Sequence, residues 1–294
     1  MVIVIVGPTG VGKTKLSIEL AKRLNGEVIN ADSTQVYKGL DIATAKVKEE
    51  EKQNIKHHLF DIKNVEENYT VYDYQKDSRE VINYLLSIEK TPIVVGGTGL
   101  YVKASLYDYK FDLENKIDNY DNLTNEQIYN KLKEIDKNID IHINNRKRLV
   151  RALNYCENNN KLFSEKEKTE KILYDTLFIG LTCDRNILYE RINNRVDIMI
   201  KEGLLEEAYD IYKSNIRTKA ITTPIGYKEF FPYFEKTKSL EECIEEIKRN
   251  SRRYAKRQYT WFNNQMNVKW FNVDFDNFEN TIEDVLEYIK KTKV

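Results

Sequence analysis

The sequence predicts an α/β fold: a parallel sheet with helices on both faces, plus a small all-helical insertion domain. Three observations predict it. An unbroken apolar run, Val2–Val6, leads straight into a glycine-rich turn and a helical pattern. Apolar runs and helical spacings then alternate along most of the chain. One polar stretch between them has helical spacing and no buried strand run. Strands covered on both faces read as continuous apolar runs, and strands alternating with helices give a parallel sheet.

Each element follows from its own pattern. After the Val2–Val6 strand, Leu16, Leu20 and Leu24 share one side of a helix from Thr14 to Leu24. Glu27–Asn30 is a short second strand that ends just before Asp32. A helix over Tyr72–Ser87 has Val81, Leu85 and Ile88 in register. Pro92–Val95 is a third buried strand, closed by Gly96-Gly97, and Leu177–Leu181 a fourth. A helix with Leu188, Ile192, Val196 and Met199 follows, and Val268–Val273 is the last strand. The insertion is rich in Asn, Asp, Lys and Glu; Ile128, Leu132 and Ile135, then Leu149 and Leu153, have helical spacing. The domains divide at 1–111, 112–170 and 171–294, the last with a basic C-terminal helix.

The chemistry starts at Gly7-Pro8-Thr9-Gly10-Val11-Gly12-Lys13-Thr14, a full GxxxxGK[ST] between a strand and a helix. Glycines let backbone N–H groups converge on phosphate oxygens, and the helix N-terminus adds positive partial charge. Lys13 reaches the outer phosphates, and Thr14 is placed to ligate a bridging Mg²⁺. The sheet is therefore of the P-loop NTPase type. Phosphate binding does not establish ATP use. A kinase needs an acidic residue at the end of a neighbouring strand, whereas Ile93–Val95 runs into Gly96-Gly97-Thr98-Gly99. Two readings of that turn stand: a second close approach to an anion with Thr98 as a contact, or a tight turn that needs glycine.

Asp32 follows the second strand in Asp32-Ser33-Thr34-Gln35-Val36-Tyr37. Carboxyl ends of parallel strands face the ligand crevice, so Asp32 should lie across from the P-loop. A carboxylate there can take a proton from an attacking amine or hydroxyl; the other reading is an Asx turn that only shapes the loop. Gln35 has an amide suited to an adenine edge. Arg191 and Arg195 share a helix face and suit a phosphate clamp; a surface ion pair for each is the alternative.

Composition bounds the rest. The 294 residues are 41% hydrophobic and 32% charged, with 47 basic and 47 acidic residues, as expected of a globular chain with a substantial core. No apolar run approaches a membrane span or a signal peptide. Cys156, Cys183 and Cys243 are far apart, which argues against disulfides or zinc and fits a reducing cytoplasm. Net charge is zero, but Lys248–Arg257 carries six basic residues and no acid, and Arg146–Arg151 carries four in six. Such runs are either solvated helix faces or contacts for nucleic-acid phosphates.

Together these pieces resemble the tRNA dimethylallyltransferase (tRNA isopentenyltransferase) family, bacterial type. The motifs are GPTGVGKT (Gly7–Thr14), DSTQVY (Asp32–Tyr37), ATAK (Ala43–Lys46), HHLFD (His57–Asp61), PIVVGGTGLY (Pro92–Tyr101), RLVRAL (Arg148–Leu153), RINNRVDIMIKEGL (Arg191–Leu204), IGYKE (Ile225–Glu229) and KRQYTWF (Lys256–Phe262). They keep the family's order over nearly the whole chain, and DSxQVY, GGTGLY and RQxTWF in one chain are highly specific. The resemblance implies transfer of a dimethylallyl group from dimethylallyl diphosphate to N6 of the adenosine 3′ to the anticodon, assisted by Mg²⁺. It implies Asp32 as general base, with Thr98 and Arg195 stabilising the departing diphosphate beside Lys13 and Thr14. Gly7, Pro8, Thr9, Gly10, Val11, Gly12, Lys13 and Thr14 would hold that diphosphate, with Thr14 on the metal. Asp32, Ser33, Thr34 and Gln35, and Lys147, Arg148, Leu149, Val150 and Arg151, would touch tRNA at its anticodon stem-loop.

The chain departs from the family at Ala43, where glycine is usual, at Lys147, where glutamine is frequent, and at Asn154 after RAL. Asn158–Asn160 replaces a region with a helix-ending glycine. Trp261 and Phe262 have two readings, core packing or stacking on RNA, and the pair His57 and His58 reads as structural. A cytoplasmic monomer without membrane contact is expected. Three other functions share some features: a P-loop kinase of a nucleoside or small metabolite, a prenyltransferase acting on free adenine nucleotides, and an RNA-binding switch ATPase. The kinase leaves GGTGLY and the basic stretches unexplained.

Overall fold

A computed structural model describes residues 1–111, 118–165 and 171–292. The chain forms β1 (Val2–Val6), α1 (Lys13–Arg23), β2 (Gly26–Asn30), α2 (Glu49–Lys52), β3 (His57–His58), α3 (Val71–Ser87), β4 (Thr91–Val95) and α4 (Gly99–Leu106). Then come α5 (Asn125–Ile135), α6 (Arg146–Asn159), β5 (Thr176–Thr182), α7 (Arg185–Lys201), α8 (Leu204–Lys213) and α9 (Lys219–Thr222). The last are α10 (Phe231–Phe234), α11 (Leu240–Gln265), β6 (Lys269–Asn272) and α12 (Phe278–Thr292). Two compact units result, one of residues 1–106 and 172–294, the other of Tyr107–Lys171. The boundaries expected at 112 and 170 lie outside the described residues.

The larger unit holds one sheet in the order β3-β2-β4-β1-β5-β6, with every pairing parallel. The α/β fold expected from the sequence is therefore the one observed. Strand side chains alternate between faces. Ile3, Ile5, Val28, Ile93, Ile179 and Leu181 join one core with Leu16 and Leu20 of α1, Leu188 and Ile192 of α7, and Ile282, Val285 and Ile289 of α12. Val2, Val4, Val6, Ile29 and Val94 point the other way and are also buried. There α3 packs on β2 and β4, and α4 on α3 and α11.

Local signals set most helix starts. Thr70 with Asp73, Thr124 with Gln127, and Ser239 with Glu242 form reciprocal caps for α3, α5 and α11, and Asp184 caps α7. In α3 the buried residues are Tyr74, Gln75, Ser78, Ile82 and Leu85. Ile88, expected on that face, is the C-cap and exposed, so the face is turned about one residue from the expected one. Ile135, expected inward, is likewise exposed.

The smaller unit has its own core of Ile128, Leu132, Ile139, Ile141, Leu149, Ala152 and Leu153. Arg146 is a staple within it: its guanidinium donates to the carbonyls of Leu123 (2.9 Å) and Tyr120 (2.7 Å). Asn154 is buried and bonds the backbone of Asp118 in both directions, at 2.9 Å each. Asn160 ends α6 in a left-handed conformation, the place a glycine often takes. No described helix is long and apolar enough to cross a membrane.

Candidate active site

The carboxyl ends of β1, β2 and β4 meet at one edge of the larger unit and deliver three loops there. The loop after β1 is the P-loop, and Gly12 caps α1 from the left-handed region. Lys13 turns back over it, its ammonium donating to the carbonyls of Gly7 (3.0 Å) and Pro8 (2.8 Å). Phosphate oxygens compete well for such donors. Burial lowers the Lys13 pKa to about 8, with Asp32 pulling it up and Arg195 pushing it down. All three charges therefore act on one cleft.

The loop after β2 carries Asp32. Its Oδ1 accepts the N–H and the hydroxyl of Thr34, at 3.0 and 2.6 Å. This is the Asx turn that was one of two readings. It leaves Oδ2 without a hydrogen bond among the described residues, so the turn orients the carboxylate and keeps one oxygen available. Gln35 is less free. Its amide nitrogen donates to the carbonyls of Thr44 (2.8 Å) and Ala45 (3.3 Å), leaving only its oxygen for a base edge.

The loop after β4 is joined to the second. Thr98 N–H donates to the Ala31 carbonyl (3.1 Å), and its hydroxyl accepts from Ser33 N–H (3.1 Å) and lies 3.3 Å from Ser33 Oγ. Thr98 thus supports the Asp32 turn; to donate to a diphosphate its hydroxyl hydrogen turns from Ser33 Oγ, while the oxygen can keep the Ser33 N–H. The glycines are explained by packing. A Cβ on Gly97 would come within 2.0 Å of Gln258 Nε2, and one on Gly99 within 2.1 Å of the Trp261 ring. At Gly97 and Gly99 the segment that approaches closely is α11.

Sequence reasoning missed Gln258 and Tyr254 of α11. Gln258 is buried; its Oε1 accepts from Thr9 N–H (2.9 Å), and its Nε2 donates to the Gly97 carbonyl (3.2 Å). It fixes the spacing of the first and third loops. Tyr254 lies one turn earlier on the same helix; burial, then the Asp32 charge, push its pKa up. Gln258 lies in KRQYTWF; Tyr254 lies just before that motif, four residues from Gln258 and so on the same helix face. Phe262 is core; Trp261 packs edge-on to Phe262 and covers Gly99.

The two arginines separate. Arg191 donates to the Gly10 carbonyl (3.1 Å) and lies over the Phe275 ring at 3.9 Å, so it braces the P-loop from outside. Arg195 has no hydrogen bond or ion pair among the described residues, and burial lowers its pKa. Of the two, Arg195 is the cation open to an anion. Thr14 is exposed beside the cleft. Mg²⁺ commonly takes one or two protein oxygens and fills its shell with phosphate and water; the Thr14 hydroxyl fits that demand. No cluster of three His, Cys, Asp or Glu suited to a metal occurs among the described residues.

The chain matches the family described as IPP transferase over residues 35–265. It belongs to that family. A tRNA dimethylallyltransferase of Anoxybacillus flavithermus is 47% identical over 298 residues, covering 98% of this chain and 96% of the relative. One of Bacillus anthracis is 48% identical over 301 residues, covering 98% and 95%. A crystal structure of a tRNA isopentenylpyrophosphate transferase from Staphylococcus epidermidis superposes with a TM-score of 0.76 at 41% identity, covering 99% of both chains. A eukaryotic dimethylallyltransferase solved acting on tRNA gives 0.84 at 32% identity, covering 97% of this chain and 77% of that one.

The chain also has two basic surfaces. On α6, Lys147, Arg148 and Arg151 are exposed. Leu149 is wholly buried and Val150 packs against the same core, so the expected tRNA contact by the Leu149 side chain is corrected: it anchors the helix that presents the cations. The first turn of α6 has cations and no acid, against the helix dipole. On α11, Lys248 pairs with Asp197 (2.8 Å), Arg249 with Glu246 (3.7 Å), and Arg252 bonds Asn193. Arg253, Lys256 and Arg257 instead line a groove of about 650 Å³ with Trp261. His57 and His58 hold the sheet edge, the second through Glu27 at 2.6 Å.

The lowered Lys13 pKa gives a signed prediction. As pH rises through about 8, the ammonium loses its proton and the phosphate cradle loses that cation. Calorimetric binding of inorganic pyrophosphate should weaken by about tenfold from pH 7 to 9, relative to Lys13→Arg, whose charge persists. Equal pH profiles for the two proteins would show that Lys13 does not titrate there.

Proposed function

We propose that this protein transfers a dimethylallyl group from dimethylallyl diphosphate to N6 of the adenosine 3′ to the anticodon of tRNA, releasing diphosphate. One observation carries the reading. A P-loop that can hold a diphosphate faces Asp32, whose Oδ1 is tied to Thr34 and whose Oδ2 is open. A cradle alone would suit many P-loop proteins; the carboxylate across from it calls for a nucleophile with a proton to lose.

The N6 lone pair attacks C1 of the dimethylallyl group as the C1–O bond breaks. The bonding electrons go to the diphosphate, and Asp32 Oδ2 takes the N6 proton. Lys13, Arg195 and the P-loop N–H groups stabilise charge where it grows, the setting in which preorganised donors act most strongly. Bound Mg²⁺, held through Thr14, would neutralise diphosphate charge. Gln35 offers its amide oxygen, an acceptor matched to an amine hydrogen. Since N6 inside a stacked loop cannot reach the cleft, the base must be extruded, at a few kcal/mol of lost stacking. Lys147, Arg148 and Arg151, and separately Arg253, Lys256 and Arg257, supply sequence-independent phosphate contacts that fix the RNA.

The kinase alternative is not favoured. β4 ends in Gly96-Gly97-Thr98, with no acid where a phosphoryl-transfer enzyme holds its metal. Acting on free nucleotides would leave two basic helices without a task. Mass spectrometry of tRNA nucleosides, after incubation with dimethylallyl diphosphate and Mg²⁺, should show one five-carbon unit added to adenosine. Phosphate transfer from ATP to a small molecule, with unmodified tRNA, would sink the proposal. Replacing Arg148 and Arg151 together by Ala should weaken tRNA binding and reduce the slope of log affinity against log salt by roughly 1.5. An unchanged slope would remove α6 from the RNA interface.

A further inference from the structure

We infer that Glu207, held by Tyr227, is a positioning residue for the turn that carries Asp32 and Gln35. The inference rests on the reading that this turn meets the RNA base. Glu207 lies in the first turn of α8, and its carboxylate accepts hydrogen bonds from three successive backbone N–H groups. Oε2 takes those of Asp41 (3.2 Å) and Ile42 (2.9 Å); Oε1 takes those of Ile42 (3.1 Å) and Ala43 (3.2 Å). Tyr227, wholly buried, donates its hydroxyl to Oε1 at 2.7 Å. Consecutive N–H groups converging on one point form an anion-binding nest, and here the anion is the protein's own side chain.

The consequence runs along the loop. With residues 41–43 pinned, the chain folds back through Ala45 N–H to the Ile42 carbonyl and Lys46 N–H to the Asp41 carbonyl, both 3.0 Å, with Ala45 in the left-handed region. Thr44 Oγ1 donates to the Leu40 carbonyl at 2.6 Å. That geometry presents the carbonyls of Thr44 and Ala45 side by side, where both meet the Gln35 amide nitrogen. An amide whose nitrogen is committed to two carbonyls cannot flip without placing oxygen against oxygen. The Gln35 oxygen is therefore fixed outward as an acceptor, three residues from Asp32. Glu207 sets the polarity of that group without touching it.

The same contacts give the IGYKE segment a task. Tyr227 holds Glu207, while Glu229 accepts from Gly226 N–H (2.9 Å) and from Asn250 of α11 (3.1 Å). The segment thus ties α11 to the clasp. Ala43, where the family usually has glycine, has its Cβ facing Gly226.

The test measures prenyl transfer to tRNA, binding of inorganic pyrophosphate, and hydrogen exchange of the Ile42 and Ala43 amides, in the full chain. Glu207→Ala should lower kcat/KM for tRNA by about thirtyfold or more, and Tyr227→Phe by about fivefold. Pyrophosphate affinity should stay within about twofold in both, and the two amides should exchange faster in Glu207→Ala. Should Glu207→Ala fail to fold, Tyr227→Phe, which removes one oxygen, carries the same test. Unchanged kcat/KM in the variants, with an active wild type, overturns the inference alone. Parallel loss of pyrophosphate binding also overturns it, by making the clasp a general support. No transfer by the wild type overturns the functional reading and this inference with it.

Discussion

The site depends on keeping Lys13 and Asp32 in one cleft without letting them pair. Each charge is occupied by its own loop: Lys13 by the Gly7 and Pro8 carbonyls, Asp32 by Thr34. Each still acts on the cleft, as the pull of Asp32 on the Lys13 pKa attests. A closed ion pair would quench both the cation that a leaving diphosphate needs and the base that an amine needs. The sheet prevents this by placing the two loops after β1 and β2, which are separated by β4.

Three loops at the end of a sheet do not hold their own spacing, since loops have few buried contacts of their own. Here α11 supplies it. Gln258 joins Thr9 to Gly97, and Trp261 covers Gly99. The adjoining face of the same helix, which Trp261 shares, is the basic groove of Arg253, Lys256 and Arg257. One helix therefore faces the chemistry along one face and, in the proposed function, RNA along the next. A substitution on its inner face acts through loop geometry, and one on its outer face through charge.

Much of this was legible in the sequence where residue pattern and backbone chemistry coincide. Val2–Val6 and GPTGVGKT gave a strand, a phosphate loop and a helix because each needs a specific residue type. Asp32 was placed by the rule that strand ends face the crevice. That Gly97 and Gly99 admit Gln258 and Trp261 was not legible, because those residues lie about 160 residues further along the chain. The buried face of α3 was misjudged because Tyr74 and Ser78, polar by type, are buried while Ile88 is not. α12 was overlooked although Ile282, Val285, Leu286 and Ile289 have clear helical spacing. β3, only two residues long, leaves no periodic signal. The resemblance implied an RNA contact at Leu149, yet helical geometry turns its side chain inward.

The most direct test is the single-turnover rate of prenyl transfer in Asp32→Ala, measured with both substrates saturating. The account predicts that tRNA and pyrophosphate still bind with affinities within about threefold of the wild type, while the rate falls by about a hundredfold or more. A rate near that of the wild type would show that the carboxylate at position 32 does not take the proton, and the mechanism built on it would be wrong.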